Sequence, residues 1–108
     1  MTYKLFIDDE RFPTDSTCVI ARSSHEAMQV VITRGIPDVI LFDHDLGSDD
    51  TSMVFLHAFI DHVLGNGILF PRDFTYSIHS QNPVGSENIK SLMNSFLSHM
   101  QTHGLFSL

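Results

Sequence analysis

The sequence is poor in cysteine and in basic residues, and it holds no long apolar run. One cysteine, Cys18, excludes an intramolecular disulfide framework. Only 6 Lys and Arg stand against 13 Asp and Glu, a formal charge of −7, which argues against an extended basic surface for nucleic acid. No apolar stretch approaches the ~18 residues of a membrane span, and the start turns acidic at Asp8, unlike a signal peptide. We therefore expect a cytoplasmic protein without membrane contacts.

Size and composition predict one globular domain over residues 1–108. Hydrophobic residues make up 43% of the chain and charged residues 18%, which is too apolar for a disordered protein. Short apolar segments alternate with amphipathic ones, which predicts the order strand, loop, strand, helix, strand, helix, strand, helix. Strands are predicted at residues 3–7, 18–21, 38–42 and 74–78, with a loop at residues 10–16. Helices are predicted at residues 23 to about 35, 51 to about 64 and 86 to about 101.

Three local patterns support this assignment. Ser23 and Glu26 have the spacing of a capping box at the start of a helix. Residues 38–42 (DVILF) form a nearly continuous apolar run, which is typical of a central strand in a parallel sheet. The last helix, with an expected N-cap at Ser86, has one apolar stripe at helical spacing, formed by Ile89, Leu92, Met93, Phe96, Leu97 and Met100.

Alternating strands and helices predict a parallel sheet with helices packed on its faces. Right-handed crossovers place the carboxyl ends of all the strands at one edge, and open α/β sheets bind their ligands at that edge. We predict the strand order 2-1-3-4, with a crevice between the first and third strands.

Polar clusters follow three of the predicted strands: Asp8-Asp9, Asp43-His44-Asp45 and His79-Ser80. Carboxylates brought together at one edge repel each other unless a cation neutralises them. Oxygen ligands suit Mg²⁺ or Mn²⁺. We therefore predict a metal ion held by Asp8 or Asp9 together with Asp43, with Asp45 as a further candidate ligand.

The alternative interpretation of these aspartates is structural. Aspartate favours loop starts because its side chain forms hydrogen bonds with nearby backbone groups. The charge pattern favours a cation. Seven of the 13 acidic residues lie in two short segments: Asp8, Asp9, Glu10, Asp43, Asp45, Asp49 and Asp50. The other 6 acidic residues balance the 6 Lys and Arg, so the net negative charge is concentrated in these two segments.

Further residues near these clusters are candidates for proton transfer and phosphate binding. His44 and His79 are candidate general acids or bases, because imidazole titrates near neutral pH. Ser80 and Asn82 are candidate phosphate ligands just before the last helix, where a turn is either an anion site or simply a cap. Arg11 either pairs with the acids or clamps a phosphate.

The segments LFIDDERFP, DVILFDHDLG and IHSQNPVG occur in this order in the chain. As a set they resemble the cyclic-phosphate-processing receiver-like domains of phages and bacteria, a family related to response-regulator receivers with a flavodoxin-like fold. The resemblance assigns Asp8 and Asp9 to the acidic pair that binds Mg²⁺ in receivers. It assigns Asp43 to their phosphoacceptor, and Ser80 or His79 to their Ser or Thr after the fourth strand.

The chain departs from a receiver at two places. Only about nine residues separate the first two strands, too few for a helix, and no fifth strand with its signalling lysine follows; Lys90 lies inside the last helix. The expected fold is therefore a truncated receiver-like, three-layer α/β/α domain that lacks a helix after strand one and the fifth strand. Ser52 stands where the family would have a glycine.

Three functions remain open on the sequence alone. The leading interpretation is a metal-dependent phosphoesterase that acts on a phosphate-containing small molecule or an RNA end, for example a terminal cyclic phosphate. The alternative is a non-catalytic receiver-like interaction module with Asp43 as phosphoacceptor. The third is a purely structural domain, dimeric through the apolar helix faces that the missing strand leaves.

Overall fold

The computed structural model describes residues 2–108. Within this range the chain forms, in order, β1 (Lys4–Ile7), β2 (Val19–Ala21), α1 (Ser24–Arg34), β3 (Val39–Phe42), α2 (Ser52–Gly65), β4 (Thr75–Ile78) and α3 (Pro83–Thr102). The predicted order of strands and helices is confirmed, and each strand begins one residue later than predicted. No helix within residues 2–108 is long and apolar enough to cross a membrane.

The four described strands form one parallel sheet of order β2-β1-β3-β4. Phe6 of β1 pairs with Ile20 on one side and with Leu41 on the other, and Leu41 pairs with Ser77. This is the predicted order 2-1-3-4, so the truncated receiver-like α/β fold is confirmed. The carboxyl ends of all four strands lie at one edge.

One face of the sheet packs against all three described helices. In the register of the sheet, Leu5, Ile40 and Tyr76 point to this face, and β-strand side chains alternate between the two faces. The core buries this face together with the apolar stripes of the helices; its fully buried members include Leu5, Ile7, Ile40, Phe42, Val31, Phe55, Phe59, Ile89 and Met93. Both crossovers run in the same direction across the sheet, so right-handedness puts their helices on the same side.

The opposite face, here called the open face, is formed by Phe6, Leu41 and Ser77. Segment 10–17 runs beside it, and an ion pair of 2.8 Å between Lys4 Nζ and Asp15 Oδ2 ties the segment to β1. The second helical layer of the predicted α/β/α arrangement is therefore reduced to a loop. The reason is that the helices that cover this face in receivers, after strand one and after a fifth strand, are absent from residues 2–108.

Aromatic rings fill the core beneath α2 and α3. Phe59 lies 5.3 Å from Phe55, 5.9 Å from Phe70 and 6.4 Å from Phe96, measured between ring centroids. Phe70 also forms a bridge to Phe106, with its N–H donating to the Leu105 carbonyl at 2.9 Å. The C-terminal residues are thus fixed to the segment that precedes β4, a contact the sequence pattern does not predict.

The prediction that Ser86 caps the last helix is wrong. Helix α3 begins three residues earlier, at Pro83, and the Asn82 side chain accepts a hydrogen bond of 2.9 Å from the Gly85 N–H. Proline suits the first helical position because its fixed φ matches the helix and its missing N–H would have no partner there. Ser86 lies inside the first turns of α3, where its N–H donates to the Asn82 carbonyl at 2.9 Å.

Replacing Asn82 by alanine should lower the free energy of unfolding by about 1 kcal/mol, because the Gly85 N–H loses its side-chain acceptor. Ser86→Ala is the matched control and should cost less, since alanine is the better helix former inside a helix. Urea unfolding of the two variants measures both values. Equal losses in the two variants would contradict the assignment of the cap.

Candidate functional site

The sheet places three polar residues side by side at its carboxyl edge. Asp8, Asp43 and His79 each follow a strand directly, and each donates its backbone N–H to a neighbouring strand: to Ala21 at 3.1 Å, to Ile7 at 2.9 Å and to Phe42 at 2.8 Å. The ladder thus continues one residue beyond β1, β3 and β4. These three side chains therefore start from adjoining, fixed positions on the backbone.

The carboxylate of Asp8 is fully buried, and both of its oxygens have partners. Its Oδ1 accepts the backbone N–H groups of Glu10 at 3.0 Å and Arg11 at 2.9 Å, the local turn that aspartate favours. Its Oδ2 lies 3.0 Å from Arg11 Nε and 3.1 Å from His79 Nε2. Burial raises the pKa of Asp8, but the two backbone N–H groups, the Arg11 charge and His79 together outweigh it and hold the pKa below its ordinary value.

The Arg11 side chain joins two strand ends. Its Nε contacts Asp8 Oδ2, and its Nη2 lies 3.2 Å from Asp43 Oδ2. Loss of hydration lowers the pKa of the guanidinium, but the Asp43 and Asp8 carboxylates more than compensate and raise it. Of the two roles considered for Arg11, the structure has it paired with the acids.

Arg22 is a site residue that sequence reasoning missed. It follows β2 directly, and its Nη1 donates to the backbone carbonyls of Asp8, at 3.0 Å, and Arg11. It thereby anchors the turn that presents both residues. The signal was present, because Arg22 ends a strand of the same parallel sheet as the other site residues.

Three of the predicted metal ligands come together. Ligand oxygens of Asp8, Asp9 and Asp43 all lie within 4.8 Å of one another. An all-carboxylate set suits a hard divalent cation such as Mg²⁺ or Mn²⁺. Asp45, the fourth predicted ligand, lies outside this group.

Asp45 has other partners at the rim of the site. Its Oδ1 lies 3.0 Å from His44 Nδ1, and its Oδ2 accepts from Asn82 Nδ2 at 3.4 Å. The hydrogen bonds from His44 and Asn82 hold the pKa of Asp45 below its ordinary value. Asp45 therefore links the end of β3 to the start of α3.

The two candidate proton carriers, His44 and His79, occupy different places. His79 stacks on Phe6 with the ring centroids 4.9 Å apart, besides its bond to Asp8. His44 packs against Gly85 in the first turn of α3, so closely that a Cβ on Gly85 would lie 2.3 Å from His44 Cγ. Both imidazoles are thus oriented by an aspartate and by a fixed packing partner.

A cavity of about 500 Å³, here called the edge cavity, lies over the strand ends. Asp9, Arg11 and Asp43 contribute to its wall, and so do Ser80 and Asn82 from the start of α3. The Ser80 Oγ accepts the Asn82 N–H at 3.0 Å, which leaves the hydroxyl hydrogen to donate to a ligand. The edge cavity thus brings two of the clustered carboxylates, Asp9 and Asp43, together with the predicted phosphate ligands. The buried Asp8, His44 and His79 do not form part of its wall.

The loop after β3 is held by its own polar groups. The Ser52 hydroxyl, fully buried, donates to the Asp43 carbonyl, and Asp50 Oδ2 accepts the Ser24 N–H at the start of α1 at 2.7 Å. Gly47 has a φ of +83°, and a Cβ there would lie 3.3 Å from Asp9 Oδ2. Ser52, the departure noted in the sequence, therefore fixes the backbone of Asp43.

Comparison with known protein families shows the family of this chain. Residues 3–95 match the model of the cyclic-phosphate processing receiver domain. The chain belongs to this family. The match spans the four described strands, α1, α2 and most of α3. Comparisons with curated proteins and with solved structures give no significant match.

The contact between His44 and Gly85 can be tested by a double-mutant cycle. Gly85→Ala should lower the free energy of unfolding by about 1–3 kcal/mol, because the methyl group forces the imidazole or α3 to move. Gly65→Ala is the control, since a Cβ at the end of α2 meets nothing within 4 Å. In a His44→Ala background the cost of Gly85→Ala should disappear. A cost that persists in that background would contradict the contact.

Proposed function

We propose that this receiver domain is a divalent-metal-dependent phosphoesterase that hydrolyses a cyclic phosphate ester at a nucleotide or RNA end. The observation that carries the proposal is the edge cavity, whose wall combines Asp9 and Asp43 of the carboxylate cluster with Arg11, Ser80 and Asn82. The third carboxylate of the cluster, Asp8, is fully buried and is not part of the wall. Membership of a cyclic-phosphate processing family supports the substrate class.

The three carboxylates fit a hard dication by their chemistry. Asp8, Asp9 and Asp43 would hold Mg²⁺ or Mn²⁺, which supplies polarisation of a phosphoryl oxygen and a more acidic bound water. Arg11 already contacts one oxygen of Asp8 and one of Asp43. A guanidinium and a dication compete for the same negative charge, so Arg11 has to release at least one carboxylate when a metal ion binds.

The side chains of the edge cavity account for binding of the phosphate. The Ser80 hydroxyl and the Asn82 amide donate to phosphate oxygens, and Arg11, once it leaves the acids, offers two parallel N–H groups to the same oxygens. Both sides of the phosphate are thereby held, which fixes the phosphorus relative to the strand ends.

Hydrolysis of a cyclic phosphate requires one proton to be removed and one to be supplied. The water oxygen forms a bond to phosphorus and gives up a proton, one of the two ester bonds breaks, and the freed oxygen takes up a proton. His79, held by Asp8, or His44, held by Asp45, exchanges these protons. Each imidazole bonds a carboxylate through one ring nitrogen, which leaves the other nitrogen for the reaction.

The second candidate function is a non-catalytic receiver-like module. It is favoured by Asp43, which directly follows β3 and forms part of the edge-cavity wall, as the phosphoacceptor of a receiver would. The two functions differ in the fate of a phosphoryl group: a module retains it on Asp43, and a phosphoesterase releases it.

Asp43→Asn should abolish turnover of adenosine 2′,3′-cyclic phosphate in the presence of Mg²⁺ or Mn²⁺, with a loss of at least about 100-fold in kcat. Asp61→Asn, which removes an exposed carboxylate from α2, should leave the rate unchanged. Chromatography of the nucleotide products measures both. A stable acyl phosphate on Asp43 after incubation with acetyl phosphate, without turnover of cyclic nucleotides, would favour the module instead.

Arg11→Gln should have opposite effects without and with a metal ion. In EDTA it should lower the temperature of thermal unfolding, because Asp8 and Asp43 lose their shared cation. It should bind Mg²⁺ more tightly than the wild type, since the competing guanidinium is gone. Thermal unfolding and calorimetric titration measure the two effects, with the exposed Arg72→Gln as control. Unchanged or weaker Mg²⁺ binding would contradict the competition.

A further inference from the structure

We propose that a second cavity, next to the edge cavity, binds the base of a nucleoside phosphate, with Phe12 as its stacking surface. The inference rests on the proposed function and deepens it. It names the substrate as a nucleotide or the terminal nucleotide of an RNA, rather than a phosphate ester without a base.

The second cavity, here called the face cavity, has a volume of about 320 Å³ and lies at the open face of the sheet. Its wall is largely apolar, with Phe6, Phe12, Pro13 and Leu41. Arg11 contributes to the wall of both cavities. The two cavities therefore meet at Arg11, whose side chain the proposed function assigns to the phosphate.

The Phe12 ring is 77% exposed, yet it has a fixed partner. The Arg22 guanidinium carbon lies 4.7 Å from the ring centroid, and Arg22 in turn donates to the carbonyls of Asp8 and Arg11. Such a cation–π contact restrains the ring where it stands. An exposed and restrained aromatic ring beside a phosphate site is the arrangement on which proteins stack bases.

Size and charge favour a single nucleoside over longer partners. Arg11 and Phe12 are adjacent residues with Cα atoms about 3.8 Å apart, so their ligand groups lie within the reach of one nucleotide. Thr14 and Ser77 in the cavity wall offer hydroxyl groups to base edges. A chain with a formal charge of −7 has little basic surface to follow an RNA backbone beyond that nucleotide.

The face cavity also gives His79 access to the substrate. His79 forms part of the face-cavity wall and bonds to Asp8 behind the edge cavity. A nucleotide that fills both cavities brings its ribose oxygens to the boundary between them, next to His79. A phosphate ester without a base fills the edge cavity alone, and His79 is not part of that wall.

The first test compares substrates with and without a base. Phe12→Ala should lower kcat/KM for adenosine 2′,3′-cyclic phosphate about tenfold or more through loss of stacking, and leave glycerol 1,2-cyclic phosphate unaffected. Phe12→Tyr should restore the rate, because tyrosine keeps the ring. Ile32→Ala, which removes an exposed side chain from α1, is the control. Equal effects of Phe12→Ala on both substrates would overturn the base site while leaving the phosphoesterase in place.

The second test measures binding without turnover. The chain has no tryptophan, so Phe12→Trp places a single tryptophan in the face cavity, and its emission is followed separately from that of the two tyrosines. Quenching of its fluorescence by adenosine 2′,3′-cyclic phosphate and by adenosine, but not by glycerol 1,2-cyclic phosphate, supports the base site. This result stands even if the domain hydrolyses no cyclic phosphate. In that case the phosphoesterase activity is wrong and the base site is not. A short oligoribonucleotide with a cyclic end that binds about tenfold tighter than the mononucleotide identifies RNA as the source. No quenching by any nucleoside or nucleotide overturns the base site and leaves the open face to a protein partner.

Discussion

A buried negative charge on Asp8 determines the arrangement of the strand ends. A carboxylate without access to water is strongly unfavourable unless its oxygens are hydrogen-bonded and its charge is balanced. Asp8 meets this requirement with two backbone N–H groups, Arg11 and His79. These partners come from the following turn and from the residue after β4, and Arg11 extends the set to Asp43, the residue after β3. The contacts of this one carboxylate and of Arg11 thus hold three segments of the chain together.

The sequence predicts the sheet and its order because those features follow from local apolar patterns and from the handedness of crossovers. It predicts the meeting of Asp8, Asp9 and Asp43 for the same reason, since each follows a strand. It does not predict the cap of α3, because Asn82 and Ser86 are both good caps and Pro83 decides between them. Nor does it predict Arg22 as an anchor, or the exclusion of His44 and His79 from the edge cavity, which depend on side-chain directions beyond the strands.

The charge argument from the sequence needs revision in one respect. Clustered acids were expected to need a metal ion, but the chain supplies part of the compensation itself. Arg11 balances two of the carboxylates, Asp45 is hydrogen-bonded to His44 and Asn82, and Asp50 accepts a backbone N–H at the start of α1, where a helix favours negative charge. Asp9, exposed beside Gly47, has no such cation in its contacts within residues 2–108. Fewer negative charges are therefore left for an external cation to neutralise than the sequence suggests.

The loop that stands in place of a helix on the open face is structurally separate from the charged strand ends. Segment 12–17 lies outside the core. It is held chiefly by the contact of Arg22 with the Phe12 ring, the ion pair of Asp15 with Lys4 and the bonds of Asp15 to Thr17. Its sequence and length can therefore change without disturbing the strand ends that hold Asp8 and Asp43. Surface loops tolerate such changes far better than packed helices. A domain of this shape can diversify what it recognises one loop at a time while its charged centre stays the same.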